Sequence, residues 1–271
     1  MPKIKSTMAK LHTPFTFSGT LSGYTAYTRK DLDTPILRTK GGPRKEQILN
    51  DAAFDVTRRN LSEFGGRSTA AKWIRQALQP LKLLADHNLG ASLNALLKPV
   101  QEGDTTSEYG RRHVALSTDP QLLEGFEISR RNHFDSVVIN PLTYTLSKDE
   151  VSAQLGVAAL RPKINFSPLG TFPFYRLIMV LGVVPDIFYH PHGYRPAKGV
   201  ELIPPQAVYT DWFPVAGGSP AQQFDLSLPQ AQVTSSFTLL LSAGVSFGKM
   251  SARAGIEAVK YAGCGRIVAA R

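Results

Sequence analysis

Apolar and polar positions fall into three regimes along the chain. In residues 1–42, TLSGYTAYT and DTPILRTK alternate β-branched or aromatic residues with small polar ones. That period of two predicts strands. Gly19 and Gly23 frame a tight turn or a close backbone approach, and Arg29 to Asp33 reads as the tip between two strands. The expected element is an extended hairpin, because Tyr24, Tyr27, Ile36 and Leu37 need burial. In residues 43–99 the period changes. Pro43 suits a first helical turn, Leu49, Ala52, Ala53, Val56, Asn60 and Phe64 recur at helical spacing, and Gly65-Gly66 predicts a stop. Ser68 is placed to cap a second helix with Ala71, Ile74, Ala77, Leu78 and Leu81 on its apolar face. Pro80 is expected to kink or end it. Leu89, Leu93, Leu96 and Leu97 mark a short third helix before Pro99.

From about residue 105 to 271 the pattern is β. The expected strands are RHVALS, LLEGFEIS, SVVIN, TYTLS, VSAQLGVAAL, KINFS, YRLIMVLGVV, AVYTDWFPV, QFDLSL, SFTLLLSAGVSFG, IEAVKY and RIVAA. Gly, Pro, Asn and Asp punctuate them, and no helical crossover of the length a parallel connection needs intervenes. The fold class expected is α+β: a basic β-arm (1–42) and a short helical layer (43–99), followed by an antiparallel β-sandwich (105–271). Fully apolar runs such as LIMVLGVV are expected at its centre.

Charge sharpens the picture of the arm. The chain of 271 residues carries a net charge of +10. Residues 1–45 hold Lys3, Lys5, Lys10, Arg29, Lys30, Arg38, Lys40, Arg44 and Lys45 against Asp31 and Asp33, so this stretch contributes +7 and the remainder +3. A basic arm on a nearly neutral body attracts polyanions or an acidic neighbour. Arg58, Arg59, Arg67, Lys72 and Arg75 add a basic outer side to the helical layer. Charged residues are only 19% of the chain, low for a lone monomer and consistent with a partner covering part of the surface. Cys264 is the single cysteine, so no intrachain disulfide forms. The N-terminal residues lack a signal-peptide pattern and the longest apolar run, Leu177–Val184, is too short to span a bilayer; the expected setting is the cytoplasm, without membrane association.

Candidate chemistry is sparse. His190 and His192 lie two residues apart with Asp186 nearby, so on an extended strand both imidazoles point one way and can share a metal ion; Pro191 and Gly193 favour a surface loop instead. No G-x-S-x-G elbow, phosphate loop or dinucleotide fingerprint occurs, and no catalytic residue, metal or cofactor is assigned. Three functions therefore stand in order. The first is a structural, non-enzymatic subunit that self-associates as a homo-oligomer or polymer (filament, tube or shell) through arm strands, with Tyr24, Tyr27, Arg29, Lys30, Ile36, Leu37 and Arg38 as the assembly residues. The second is a nucleic-acid-associated or coat-like protein, contacting phosphates through Lys3, Lys5, Lys10, Arg44 and Lys45. The third is a metal-binder or enzyme at His190 and His192.

The order FSGTLSGYTAYTRKD, ILRTKGGP, EQILNDAAFDVTRRNLSEFG and a closing VKYAGCGRIVAA resembles a family of uncharacterised bacterial proteins with a glycine-rich N-terminal arm and a closing YAGxGxI-like strand. Gly19, Gly23, Arg38, Gln47, Phe54, Tyr261, Gly263 and Ile267 occupy the matching positions. The resemblance covers the two ends of the chain and implies no activity, so no catalytic role is carried over from it.

Overall fold

The computed structural model describes residues 8–10, 18–28, 35–39, 41–197, 203–229, 236–251 and 255–271. It is an α+β structure with antiparallel sheets, divided into two compact units, Met1–Arg58 and Arg59–Arg271.

In the first unit, β1 (Met8–Lys10), β2 (Gly19–Leu21), β3 (Tyr24–Tyr27) and β4 (Ile36–Thr39) form an antiparallel sheet in the order β1-β4-β3-β2. The expected hairpin is thus part of a four-stranded sheet. Ser22 and Gly23 make the β2–β3 turn with φ of 44° and 85°. Positive φ at both central residues is what a tight two-residue hairpin turn of the right twist requires. The helix α1 (Lys45–Asn50) follows, its start tied by Gln47 Oε1 accepting from the Arg44 amide at 2.7 Å. A 3-10 turn at Ala52–Phe54 is capped by Asp51 Oδ1 accepting from the Ala53 amide at 2.9 Å.

Helix α2 spans Asp55–Ala77, and the division between units falls within its first turns. The expected stop at Gly65-Gly66 does not occur. Two helical glycines cost about 1 kcal/mol each, but Gly66 lies against the Tyr194 ring so closely that a Cβ would sit 2.6 Å from it. Ala70, Ala71, Ile74 and Ala77 beyond it are all buried, and their packing carries the helix through. Ser68 consequently sits inside α2 rather than capping a new helix. The chain turns through a 3-10 segment, Gln79–Leu84, where Pro80 was expected to interrupt, and enters α3 (Leu89–Leu96) and α4 (Lys98–Glu102).

Four of the expected strands are not strands. RHVALS contributes one bridge, Val114 to Ile187, and then a 3-10 turn at Leu116–Thr118. LLEGFEIS overlaps a 3-10 turn at Pro120–Leu123, SVVIN falls on the short helix α5 (Phe134–Val137), and KINFS is a turn with isolated bridges at Phe166. Leu116, Leu123, Ile128, Phe134, Val137 and Val138 are nevertheless buried, so the apolar pattern reports burial rather than extended backbone. Part of this stretch seals a sheet edge: the amide of Ile128 donates to the Gly265 carbonyl at 2.7 Å, and that of Ile267 to the Phe126 carbonyl at 3.0 Å.

The remaining strands are β5 (Thr143–Ser147), β6 (Ser152–Val157), β7 (Phe174–Pro185), β8 (Ile187–His190), β9 (Gly193–Pro196), β10 (Gln206–Tyr209), β11 (Phe213–Pro214), β12 (Gln222–Ser227), β13 (Phe237–Ser251) and β14 (Gly255–Ala270). The main sheet runs β10-β7-β13-β14 with β11 also on β7; a second sheet runs β12-β6-β5. Side chains alternate across β7, and the two sets enter different cores. Tyr175, Leu177, Met179, Leu181 and Val183 pack with Leu239, Leu241, Val245 and Phe247 of β13 and with Leu155, Phe224 and Leu226 of the second sheet. Ile178, Val180 and Val184 pack with Leu240 and Ile267 against Ile74, Leu78, Leu81, Leu84, Leu93 and Leu97 of the helical layer. The sandwich is therefore clad by helices on one outer face. The helices approach closely where the sheet lacks side chains: a Cβ on Gly182 would lie 2.7 Å from Ala77 Cβ, and one on Gly244 would lie 2.7 Å from both Leu81 and Leu84.

Candidate functional site

In the arm sheet, strand alternation decides which residues share a face. Leu21 and Tyr24 stand directly opposite each other beside the β2–β3 turn, and they remain 63% and 49% exposed. On the other face the hydroxyls of Thr20 and Thr25 are 3.2 Å apart, and the Arg38 guanidinium lies 5.5 Å over the Tyr27 ring. Ile36 is buried and Leu37 half-buried, so only part of the expected apolar set is free. Strand β2 has β3 as its neighbour on one side and, among the described residues, lies at the sheet's edge; its Gly-Thr-Leu sequence carries no charge. Arg44 and Lys45 are exposed at the start of α1. Lys10 lies in β1, its side chain outside the described residues, as are Lys3, Lys5, Arg29 and Lys30 altogether.

The second unit carries a different feature, a cationic groove. The α2 positions 64, 67, 71 and 75 fall on one face at helical spacing, facing α3. Together with Asn94, Ala95 and Lys98 they bound a cavity of about 580 Å³. A second cavity of about 430 Å³ lies beside it, lined by Lys82, Leu83, His87, Lys260 and Tyr261. Arg75 and Asn88 line both. Asn88 caps α3, its Oδ1 accepting from the Gly90 amide at 3.0 Å. Arg67 donates from Nε to Asn94 Oδ1 at 3.2 Å and from Nη1 to Gln101 Oε1 at 2.9 Å, which fixes its position without cancelling its charge.

A bulge in β14 delivers Tyr261 to the groove. Ser246 pairs with Gly263 and Gly248 with Ala258, so β14 inserts Val259 to Ala262 opposite Phe247 alone. Tyr261 takes φ of 64° there, a left-handed conformation rare for an aromatic residue, and the Lys260 ammonium lies 4.9 Å over its ring. Gly263 permits the close return, since a Cβ would lie 2.3 Å from the Val245 carbonyl oxygen. The neighbouring carboxylates are occupied elsewhere. Asp86 accepts from the amides of Arg130 and Arg131 at 2.9 Å and from Ser129 Oγ at 3.1 Å, with His87 Nδ1 at 3.0 Å. Burial alone would raise its pKa, but these donors hold it well below the usual carboxylate range. Glu63 is clamped by Arg112 at 2.6 and 2.7 Å and by the Gly110 amide at 2.9 Å, and they outweigh burial to lower its pKa as well.

His190 ends β8 and His192 lies in the turn before β9, both exposed. Among the described residues no group of three or more His, Cys, Asp or Glu is placed to hold a metal ion. Cys264 is fully buried beside Val245, and burial pushes its thiol pKa far up. Among the described residues no helix is long and apolar enough to cross a membrane. Sequence patterning marks Arg67 and Arg75 as basic helix positions but misses Lys82, Lys98 and Lys260, which are separated along the chain and meet only in the fold. The one local signal was a run of cations across 67–98 with few acids between them. Searches of protein-family models, curated proteins and solved structures find no match for this chain.

Proposed function

We propose that this protein is a structural, self-associating subunit whose arm sheet is extended by a strand from a second copy. The supporting observation is that β2 has, among the described residues, a strand neighbour on one side alone, and that its three residues are uncharged and exposed, with Leu21 opposite the exposed Tyr24. An unpaired strand edge offers main-chain donors and acceptors to another chain, and neutral edges lack the charges that usually discourage such pairing. The inner ladder of β4 with β3 is satisfied within the chain, so the intermolecular contact runs through the edges and not through the whole ribbon. Leu21 and Tyr24 supply the apolar area, with Tyr27 and Arg38 on the opposite face; repetition of such a contact gives a closed ring or shell or an open filament. The reading assigns no reaction and sets the assembly in the cytoplasm, in keeping with a single, buried thiol.

Size-exclusion chromatography with light scattering tests it. The expected result is a species several times heavier than the 29.6 kDa chain, reduced towards the monomer by Leu21→Lys and by removal of residues 1–42. A monomeric wild-type protein, or an oligomer unchanged by both variants, overturns the proposal.

A further inference from the structure

We infer that the groove between α2, α3 and the β14 bulge holds the backbone of a single-stranded nucleic acid, with Phe64 and Tyr261 as stacking platforms at its two ends. The sign of the ligand follows from the lining. Arg67, Arg75 and Lys98 border one cavity, Arg75, Lys82 and Lys260 the other, and among the described residues no carboxylate lines either. Asp86 is engaged with the 129–131 loop and Glu63 with Arg112, while Glu102 lies 3.7 Å from Lys98 and offsets that charge, so the sign of the groove rests on Arg67, Arg75, Lys82 and Lys260. Among the described residues the hydrogen-bond acceptors of Arg67 and Arg75 are neutral, the latter's being the Ala71 carbonyl at 3.3 Å, and Arg67 also acts through charge on Glu63.

The shape selects a polymer. Either cavity alone would suit a small anion, but the two share Arg75 and Asn88 in their linings, so adjoining cavities with cations in each offer a track to a longer anion. Successive phosphates of one strand can engage several such cations at once. The rims select a single strand. Phe64 is 53% exposed and Tyr261 50% exposed, large rings left in water where the cations are. Unpaired bases stack on such rings without regard to sequence, whereas a duplex keeps its bases away from them. The Lys260 ammonium already over the Tyr261 ring sets charge and stacking face side by side. This site is separate from the arm residues on which assembly rests.

The test uses the full-length protein and fluorescein-labelled oligo(dT) and oligo(rU) of about fifteen nucleotides, a length spanning one such site, read by fluorescence anisotropy. The expected result is affinity that falls steeply with salt, weakened about tenfold or more by Arg75→Glu and by Lys260→Glu, and by Tyr261→Ala with a smaller change in salt slope. Arg75→Gln and Lys260→Gln, both at exposed positions, guard against misfolding; their thermal melts should match the parent while binding still weakens. Three results overturn the inference: no binding or a salt-independent signal; binding unaffected by the groove variants but lost on Arg44→Ala with Lys45→Ala; or equal competition by polyglutamate or by phosphatidylserine vesicles, which would mean a general attraction for negative charge.

Discussion

At the scale of single residues, the tightest constraints are places where a side chain is missing. Gly244 sits in the middle of β13 and receives Leu81 and Leu84 from the helical layer. A Cβ there has nowhere to go, since both leucines are buried and the Cys264 carbonyl oxygen would lie 3.3 Å away. Gly244→Val is expected to destabilise the fold by about 2 kcal/mol or more through overpacking, measured as a lower urea midpoint with an unchanged slope. Gly65, exposed with open space around its Cα, is the contrasting case. Gly65→Ala should stabilise α2 by about 1 kcal/mol, visible in the same titration. The sequence could not separate these glycines: Gly65-Gly66 looks like a helix stop because the ring of Tyr194, which makes use of Gly66, is remote in the chain.

At the scale of elements, the β14 bulge joins strain to a surface feature. IEAVKY and RIVAA read as two strands because Ala262-Gly263 interrupts the alternation, but they are one strand carrying an insertion. Left-handed backbone costs a side-chain-bearing residue about 1–2 kcal/mol, a cost glycine escapes. Tyr261→Gly is therefore expected to raise stability by up to about 1 kcal/mol in urea while removing the ring from the groove. A gain in stability coupled to weaker oligonucleotide binding would mark the bulge as a site where stability is given up for function. Elements with clear alternation (TYTLS, QFDLSL) and the long apolar runs of β7 and β13 were legible and lie where the pattern put them. Those between residues 112 and 140 were not, because their apolar residues are buried singly by loops that edge the sheet, and burial without a ladder leaves the same hydrophobic signature.

At the scale of the molecule, the β7 run is apolar on both faces because each faces a different layer. The loops are tied to the helical layer by carboxylates, which sets the response to acid. Glu63 holds residues 110–112 and Asp86 holds residues 129–131, while Asp104 gathers the amides of Thr106, Ser107 and His113. All three have folded pKa values below their ordinary 4.5 or 3.8. Their contribution is thus complete above those ordinary values and is lost as pH falls through the lower folded ones. Glu127 acts oppositely, since burial raises its pKa and favours the protonated fold. With three groups against one, the urea midpoint should fall as pH drops below about 4.5. Glu63→Gln should lower the midpoint at neutral pH and flatten that fall; an unchanged slope would remove Glu63 from the account.

The interior position of Cys264 has a practical corollary for following assembly. With the native thiol on β14 buried in the core between the sheets and held protonated, maleimide reagents in the folded state should find nothing to modify. A cysteine introduced at Thr20 would then be the one reactive handle on the molecule. A spin label or donor–acceptor dye pair placed there would test the proposed pairing of arms by distance, without first mutating the native residue.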